Sequence, residues 1–395
     1  MVILLGQNYF HAAKVSNFLL CCTFRTIKSR KLNVRFVCFN FNFTAYSAYL
    51  AGGMIFLGMQ LQTKHVSWLV GIFAICILGC TSSPKAPDVS NLQIPWQVQR
   101  FEQDLFSMDT LRLDISLEQL NKKYPGFTQD FLYNILGTSP DKALVELPLF
   151  LRAYREWLGA AKSNKELAIY FDQVKGGCKY VHYYFPTYPL PRKLITFIGP
   201  VNGYGNVITS DALAVGLQFY MGKDFDWYAS SEGQQMYPPF LSRRFEPAYI
   251  PVNCMKNIMD DLFPNKSQGR PLVEQMIESG KRVCLLEFFL PNLADTLLTG
   301  YSGAQLAACR ASEKGIWSFF VQNDMLYSTD PSFTRDYLNE GPGTPALGEQ
   351  APGNIGQFCG WQIVKKWMEK QQDITPEKLM KTPAAAIFQE AKYKP

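Results

Sequence analysis

The chain has 395 residues, of which 47% are hydrophobic and 18% charged, the balance of a folding globular sequence and not of a disordered or fibrous one. Its formal charge of +6 is carried by the N-terminal stretch: residues 1–79 hold seven Lys or Arg and no Asp or Glu, which leaves 32 basic against 33 acidic side chains in the remainder. A body with a net charge of −1 presents no phosphate-neutralising face, which argues against nucleic acid as a partner.

Residues 1–58 contain no acidic residue, three Cys and the run Phe39-Asn40-Phe41-Asn42-Phe43, and they show no amphipathic period. They are expected to be upstream translation, with the working protein starting at Met59. Lys64 and His65 then precede an uncharged run, residues 68–78, that ends at Gly79-Cys80. The run is shorter than the roughly 20 apolar residues a membrane span needs, but it has the size of a signal-peptide core. Ile77-Leu78-Gly79-Cys80 resembles a lipobox, in which a cysteine thiol follows branched apolar residues and one small residue. This predicts a bacterial lipoprotein, with a signal peptide over 59–79 and Cys80 as the lipidated, palmitate-bearing first residue. Residues 80–87 would form a polar, Pro-containing tether, and 88–395 a globular domain anchored to the inner or outer membrane and facing the periplasm. Two or three acyl chains, at about 0.8 kcal/mol per buried methylene, make such an anchor effectively permanent.

Along the domain, 98–106 reads as a strand or extended segment. Ser116 begins a helix with Gln119 at the capping-box position, and Pro125-Gly126 breaks it. A short helix over 127–136 and amphipathic helices over 144–158 and 166–183 follow. The pattern then changes. Leu194-Ile195-Thr196-Phe197-Ile198 is an apolar strand, 199–206 a turn and Val207-Ile208-Thr209 a returning strand, which together make a β-hairpin. Residues 213–220 continue as an apolar strand or short helix. Helices are expected again over 251–262, 270–289, 302–326, 355–371 and 375–381. With no internal repeat or linker, the fold class is α+β: a mostly helical single domain with a small β-hairpin or sheet.

Several chemistries lack their residues. His182 is the one histidine beyond the signal segment, and no HExxH is present, so no metal or other cofactor is expected. Gly300-Tyr301-Ser302-Gly303-Ala304 fails the nucleophile-elbow pattern at Ala304. Gly280-Lys281-Arg282 is no P-loop and Gly203-Tyr204-Gly205 no dinucleotide fingerprint. No CxxC pair occurs. Cys284 and Cys309 fall in apolar helical patterns and read as small core residues.

Four groupings keep some chemical potential. Cys178 and His182 share a helix face, as a thiolate–imidazolium pair would, although a core thiol is the commoner outcome. Glu274 and Glu278 lie one turn apart, as a paired-acid site or, more commonly, as a solvated face with Glu278 pairing Arg282. Glu313, one turn before Trp317, reads as helix-face packing. The aromatic stretch from Tyr180 to Tyr188 is either core or a glycan-stacking surface.

With the lipobox read, the domain resembles the gliding-motility lipoprotein GldB family of Bacteroidetes over roughly 96–395. The blocks that carry the resemblance are Arg100-Phe101-Glu102-Gln103-Asp104-Leu105-Phe106, Tyr184-Phe185-Pro186 and Gly216-Leu217-Gln218-Phe219-Tyr220-Met221-Gly222. Further along come Met276-Ile277-Glu278-Ser279-Gly280-Lys281, Gly300-Tyr301-Ser302, Glu313-Lys314-Gly315-Ile316-Trp317, Pro352-Gly353-Asn354-Ile355-Gly356, Gly360-Trp361-Gln362-Ile363-Val364 and Lys392-Tyr393-Lys394-Pro395. One departure stands out: Gln218 occupies a position where an acidic residue is expected. The resemblance implies a part in gliding motility at the cell envelope, beside protein partners of the gliding and secretion machinery, with no catalytic mechanism attached. A second likeness is to zinc peptidases. Residues 272–281 look like the segment that bears a third ligand, and 251–262 would occupy the place of HExxH. That helix reads Val252-Asn253-Cys254-Met255-Lys256-Asn257, so the scaffold would be a peptidase-like one that has lost its metal. The expectation is therefore a non-enzymatic accessory. The alternatives are a periplasmic hydrolase at Cys178/His182 or Glu274/Glu278, and a glycan-binding envelope module.

Overall fold

Two largely buried strands form the centre of a small mixed sheet. Of β1 (Gln97–Arg100), β2 (Lys193–Phe197), β3 (Asn206–Ile208) and β4 (Ala212–Gly216), the order across the sheet is β1-β2-β4-β3. The computed structural model describes residues 86–395 apart from 210–211 and 349–350; the Met59 start, the signal segment to Gly79 and the lipidated Cys80 lie outside these residues. The described residues belong to one compact unit, Ser82–Pro395. Among them, no helix is long and apolar enough to cross a membrane.

β2 pairs in parallel with both β1 and β4, and β3 closes the far edge antiparallel to β4. This corrects the expected hairpin. Residues 194–198 and 207–209 are not partners; the hairpin joins β3 to β4, with the Thr209 N–H donating to the Ala212 carbonyl at 2.8 Å. The physical reason lies in β4, whose five residues are all buried. A strand covered on both faces shows no alternation, and it takes the central place that β2's nearer neighbour in sequence was expected to fill.

The parallel β1–β2 pair requires a crossover, which helices supply. They are α1 (Phe101–Phe106), α2 (Leu113–Lys123), α3 (Ala143–Ala153), α4 (Arg155–Ser163) and α5 (Leu167–Tyr184). The expected strand over 98–106 turns into helix after Arg100, where the fully buried Glu102 accepts from Arg100 Nε and Thr196 Oγ1, both at 2.6 Å. Phe101 stands at the centre of an aromatic cluster with Tyr124, Phe127 and Phe131. Ser116 caps nothing: its hydroxyl donates to the Asp109 carbonyl, and Asp109 caps the 3-10 turn that leads into α2. The expected helix over 144–158 breaks at Tyr154 into α3 and α4.

The second half packs α6 (Ile250–Leu262), α7 (Leu272–Phe289), α8 (Gly303–Ala311), α9 (Glu313–Gln322), α10 (Pro331–Leu338), α11 (Ile355–Met368), α12 (Pro376–Lys381) and α13 (Ala384–Ala391). The break between α8 and α9 falls at Ser312, inside the helix expected over 302–326. α7 is apolar on most of its circumference, with Leu272, Val273, Met276, Ile277, Val283, Cys284, Leu285, Leu286 and Phe289 all buried. A helix of that kind belongs at the centre of a core, and α6, α10, α11, α12 and α13 surround it. The C-terminus is tied in as well: Tyr393 donates to Glu313 at 2.6 Å and stacks edge-on against Trp317.

Candidate functional site

The groupings expected to carry chemistry are built into packing. Cys178 lies on α5 with no exposed surface, and burial pushes its thiol up to about 12. His182 is one turn further along and partly exposed, and no hydrogen bond joins the two. An unionised thiol without a base beside it is a poor nucleophile. The aromatic stretch forms a seam against neighbouring helices, with Tyr184 edge-on to Phe288, Phe185 to Phe263 and Phe289, and Tyr188 donating to Asp261 at 2.8 Å.

Glu274 and Glu278 do not form a solvated face. Glu278 pairs at 3.0 Å with Lys281, whose side chain is 2% exposed and whose ammonium also donates to the Met380 and Thr382 carbonyls at the end of α12. The expected partner, Arg282, is one residue further round the helix. It therefore points to α6, where it meets Asp260 and the Phe263 carbonyl. Glu274 sits 3.8 Å from Arg270. The zinc-peptidase-like scaffold receives no support: both carboxylates hold cations of the fold, and 253 and 257 are amides.

Gln218 explains its own departure from the expected acid. Its side chain is buried and spans two loops at the end of the sheet. Oε1 accepts from the Gly199 N–H at 3.0 Å, Nε2 donates to the Tyr204 carbonyl at 2.8 Å, and the residue's own carbonyl accepts from Tyr228 at 2.6 Å. A carboxylate could accept from Gly199 but has nothing to give Tyr204.

Beside this staple lies a cleft of about 290 Å³ between the start of β3 and the exposed face of α6. Asn206, Tyr220, Asn253, Lys256 and Asn257 give it polar walls, and Phe219 and Phe245 an apolar one. Tyr220 donates to Asn206 Oδ1 at 3.1 Å and accepts from Asn253 Nδ2 at 2.9 Å; Asn257 Nδ2 reaches the Asn206 carbonyl at 3.4 Å. Lys256 is partly buried, and its pKa is lowered, first by removal from water and then by Arg244; Glu340 opposes the shift. Asn253, Lys256 and Asn257 fall at i, i+3 and i+4 within residues 250–259 of α6, which are otherwise apolar, a polar trio visible in the sequence. No local pattern announces the opposite wall.

Compared with known proteins, residues 82–395 match the family described as Gliding motility protein GldB. No curated protein and no solved structure matches the chain.

Proposed function

The chain belongs to the gliding motility protein GldB family, and from that premise we propose that it is a lipid-anchored, non-enzymatic accessory of the gliding machinery in the bacterial cell envelope. Cys80 carries the lipid, the segment from Thr81 to Pro87 is the tether, and the domain faces the periplasm, where it works through protein partners. The observation that carries the non-enzymatic reading is the state of the residues best suited to hydrolysis: Cys178 is a fully buried thiol held protonated, and Glu278 is locked onto Lys281. A catalytic group needs access to substrate and freedom to move a proton; Cys178 is sealed from solvent, and Glu278 is committed to Lys281. The near-neutral charge of the body fits a protein partner better than a polyanion.

Two measurements test this. Cells fed labelled palmitate should incorporate it into the wild-type chain and not into Cys80→Ala, and the variant should lose motility. Cys178→Ala and Glu278→Gln, compared at equal protein abundance, should leave motility intact. A motility defect at normal abundance in either variant would replace the accessory role with an enzymatic one.

A further inference from the structure

Three polar groups in the cleft beside α6 are left without a partner by the fold. Lys256 makes no hydrogen bond or ion pair with any described residue. Asn253 and Asn257 use their amide nitrogens, toward Tyr220 and the Asn206 carbonyl, and keep their amide oxygens open. The nearby arginines are compensated, Arg244 by Glu340 at 2.8 Å and Arg282 by Asp260. No Asp or Glu lines the cleft, so the Lys256 ammonium is its uncompensated charge. The apolar wall is continuous, since the Phe219 and Phe245 rings meet edge-on with centroids 5.1 Å apart.

We propose that this cleft binds one acidic sugar residue, with the carboxylate on the Lys256 ammonium, hydroxyls donating to the Asn253 and Asn257 amide oxygens, and the C–H face of the ring on Phe219 and Phe245. Each part answers a specific demand. A partly buried cation with no partner calls for an anion. Open amide oxygens call for donors, which a carboxylate alone lacks and sugar hydroxyls supply. The apolar wall calls for a ligand with an apolar face. The volume, at the small end of the roughly 300–1,000 Å³ typical of ligand sites, suits a single ring. A diamine or metal ion would find no carboxylate here, and an acyl chain would leave both amides unpaired.

The test uses the full-length chain in a detergent without a sugar headgroup, titrated with D-glucuronate, D-glucose and glutarate and followed by ligand-observed NMR. Glucuronate should saturate one site at least tenfold more tightly than either glucose, which lacks the charge, or glutarate, which lacks the hydroxyls. Lys256→Gln should erase the preference over glucose, and Asn257→Leu should weaken both sugars. Lys256 bonds to nothing in the fold, so its variant should keep the wild-type thermal midpoint. Equal binding of all three compounds, no saturable glucuronate signal, or a Lys256→Gln variant that still prefers glucuronate would overturn the assignment.

Discussion

Gly280 and Gly360 meet backbone to backbone where α7 crosses α11. A Cβ on Gly280 would lie 2.2 Å from the Gly360 carbonyl carbon, and one on Gly360 would lie 1.6 Å from the Met276 carbonyl oxygen. The obstacle in each case is the main chain of a central helix, which cannot turn aside as a side chain can. Gly280→Ala or Gly360→Ala should therefore force the two helices apart and cost about 3 kcal/mol or more. The thermal midpoint should fall by roughly 6 °C or more, as read by circular dichroism. A variant that melted with the wild type would mean that the crossing is looser than described.

The five cysteines of the domain should resist thiol reagents in the native state. Burial holds Cys178 near 12 and Cys309 near 11, and drives Cys254, Cys284 and Cys359 up as well. Peptide mass spectrometry after maleimide treatment at pH 8 should find all five unmodified, and all five labelled once guanidinium has unfolded the chain. Rapid native labelling of Cys178 would reopen the nucleophile question.

Glu287 should make stability depend on pH. Burial raises its carboxyl pKa, while Lys365 at 3.1 Å and the Trp361 indole at 2.8 Å pull it partly back. A carboxyl raised in the folded state binds its proton more tightly there than in the unfolded chain. Its contribution is full below the unfolded pKa and is lost as pH rises through the folded one. Relative to Glu287→Gln, the wild type should be most stable near pH 4 and lose that advantage toward pH 7, measured as urea midpoints. An advantage that grew toward pH 7 would show Lys365 to dominate.

Gln218→Glu tests the staple between the loops. The Gly199 bond survives, but the carboxylate faces the Tyr204 carbonyl with no proton to offer, a cost of about 3 kcal/mol in a buried site. Because a protonated glutamic acid can donate, the deficit should narrow as pH falls. Full stability at pH 7 would mean that the loop position has room to rearrange.

The long helices were legible because their apolar positions recur with helical spacing: α5, α6, α7 and α11 lie within a residue or two of expectation at most ends. Strand partners were not. Leu194 and Ile208 are close in sequence and both apolar, yet β4, which reads equally as strand or helix, takes the place between them. The short breaks at Tyr154 and Ser312 also escaped, because neither has a proline or glycine to mark it; tertiary contacts set them, such as the Val201 N–H donated to Tyr154 at 3.0 Å. Of the cleft, only the α6 trio was visible. Phe219 and Phe245 reach it from separate loops, and no spacing rule connects residues that chain topology alone brings together.

The edge position of β1 has a mechanical consequence. A pull on the N-terminal side of the described body enters it through the segment before Gln97, which is held by the buried Val89 and by the Lys179 bond to the Ser90 carbonyl at 2.9 Å. Once that segment peels, tension runs along β1, whose four residue pairs with β2 are loaded together in shear when the force follows the strand. Just past the strand, Glu102 clips the chain to Thr196 and resists slippage at its far end. Tension from that side is thus met first by the periphery of the sheet, and the α7–α11 crossing stays out of the line of force.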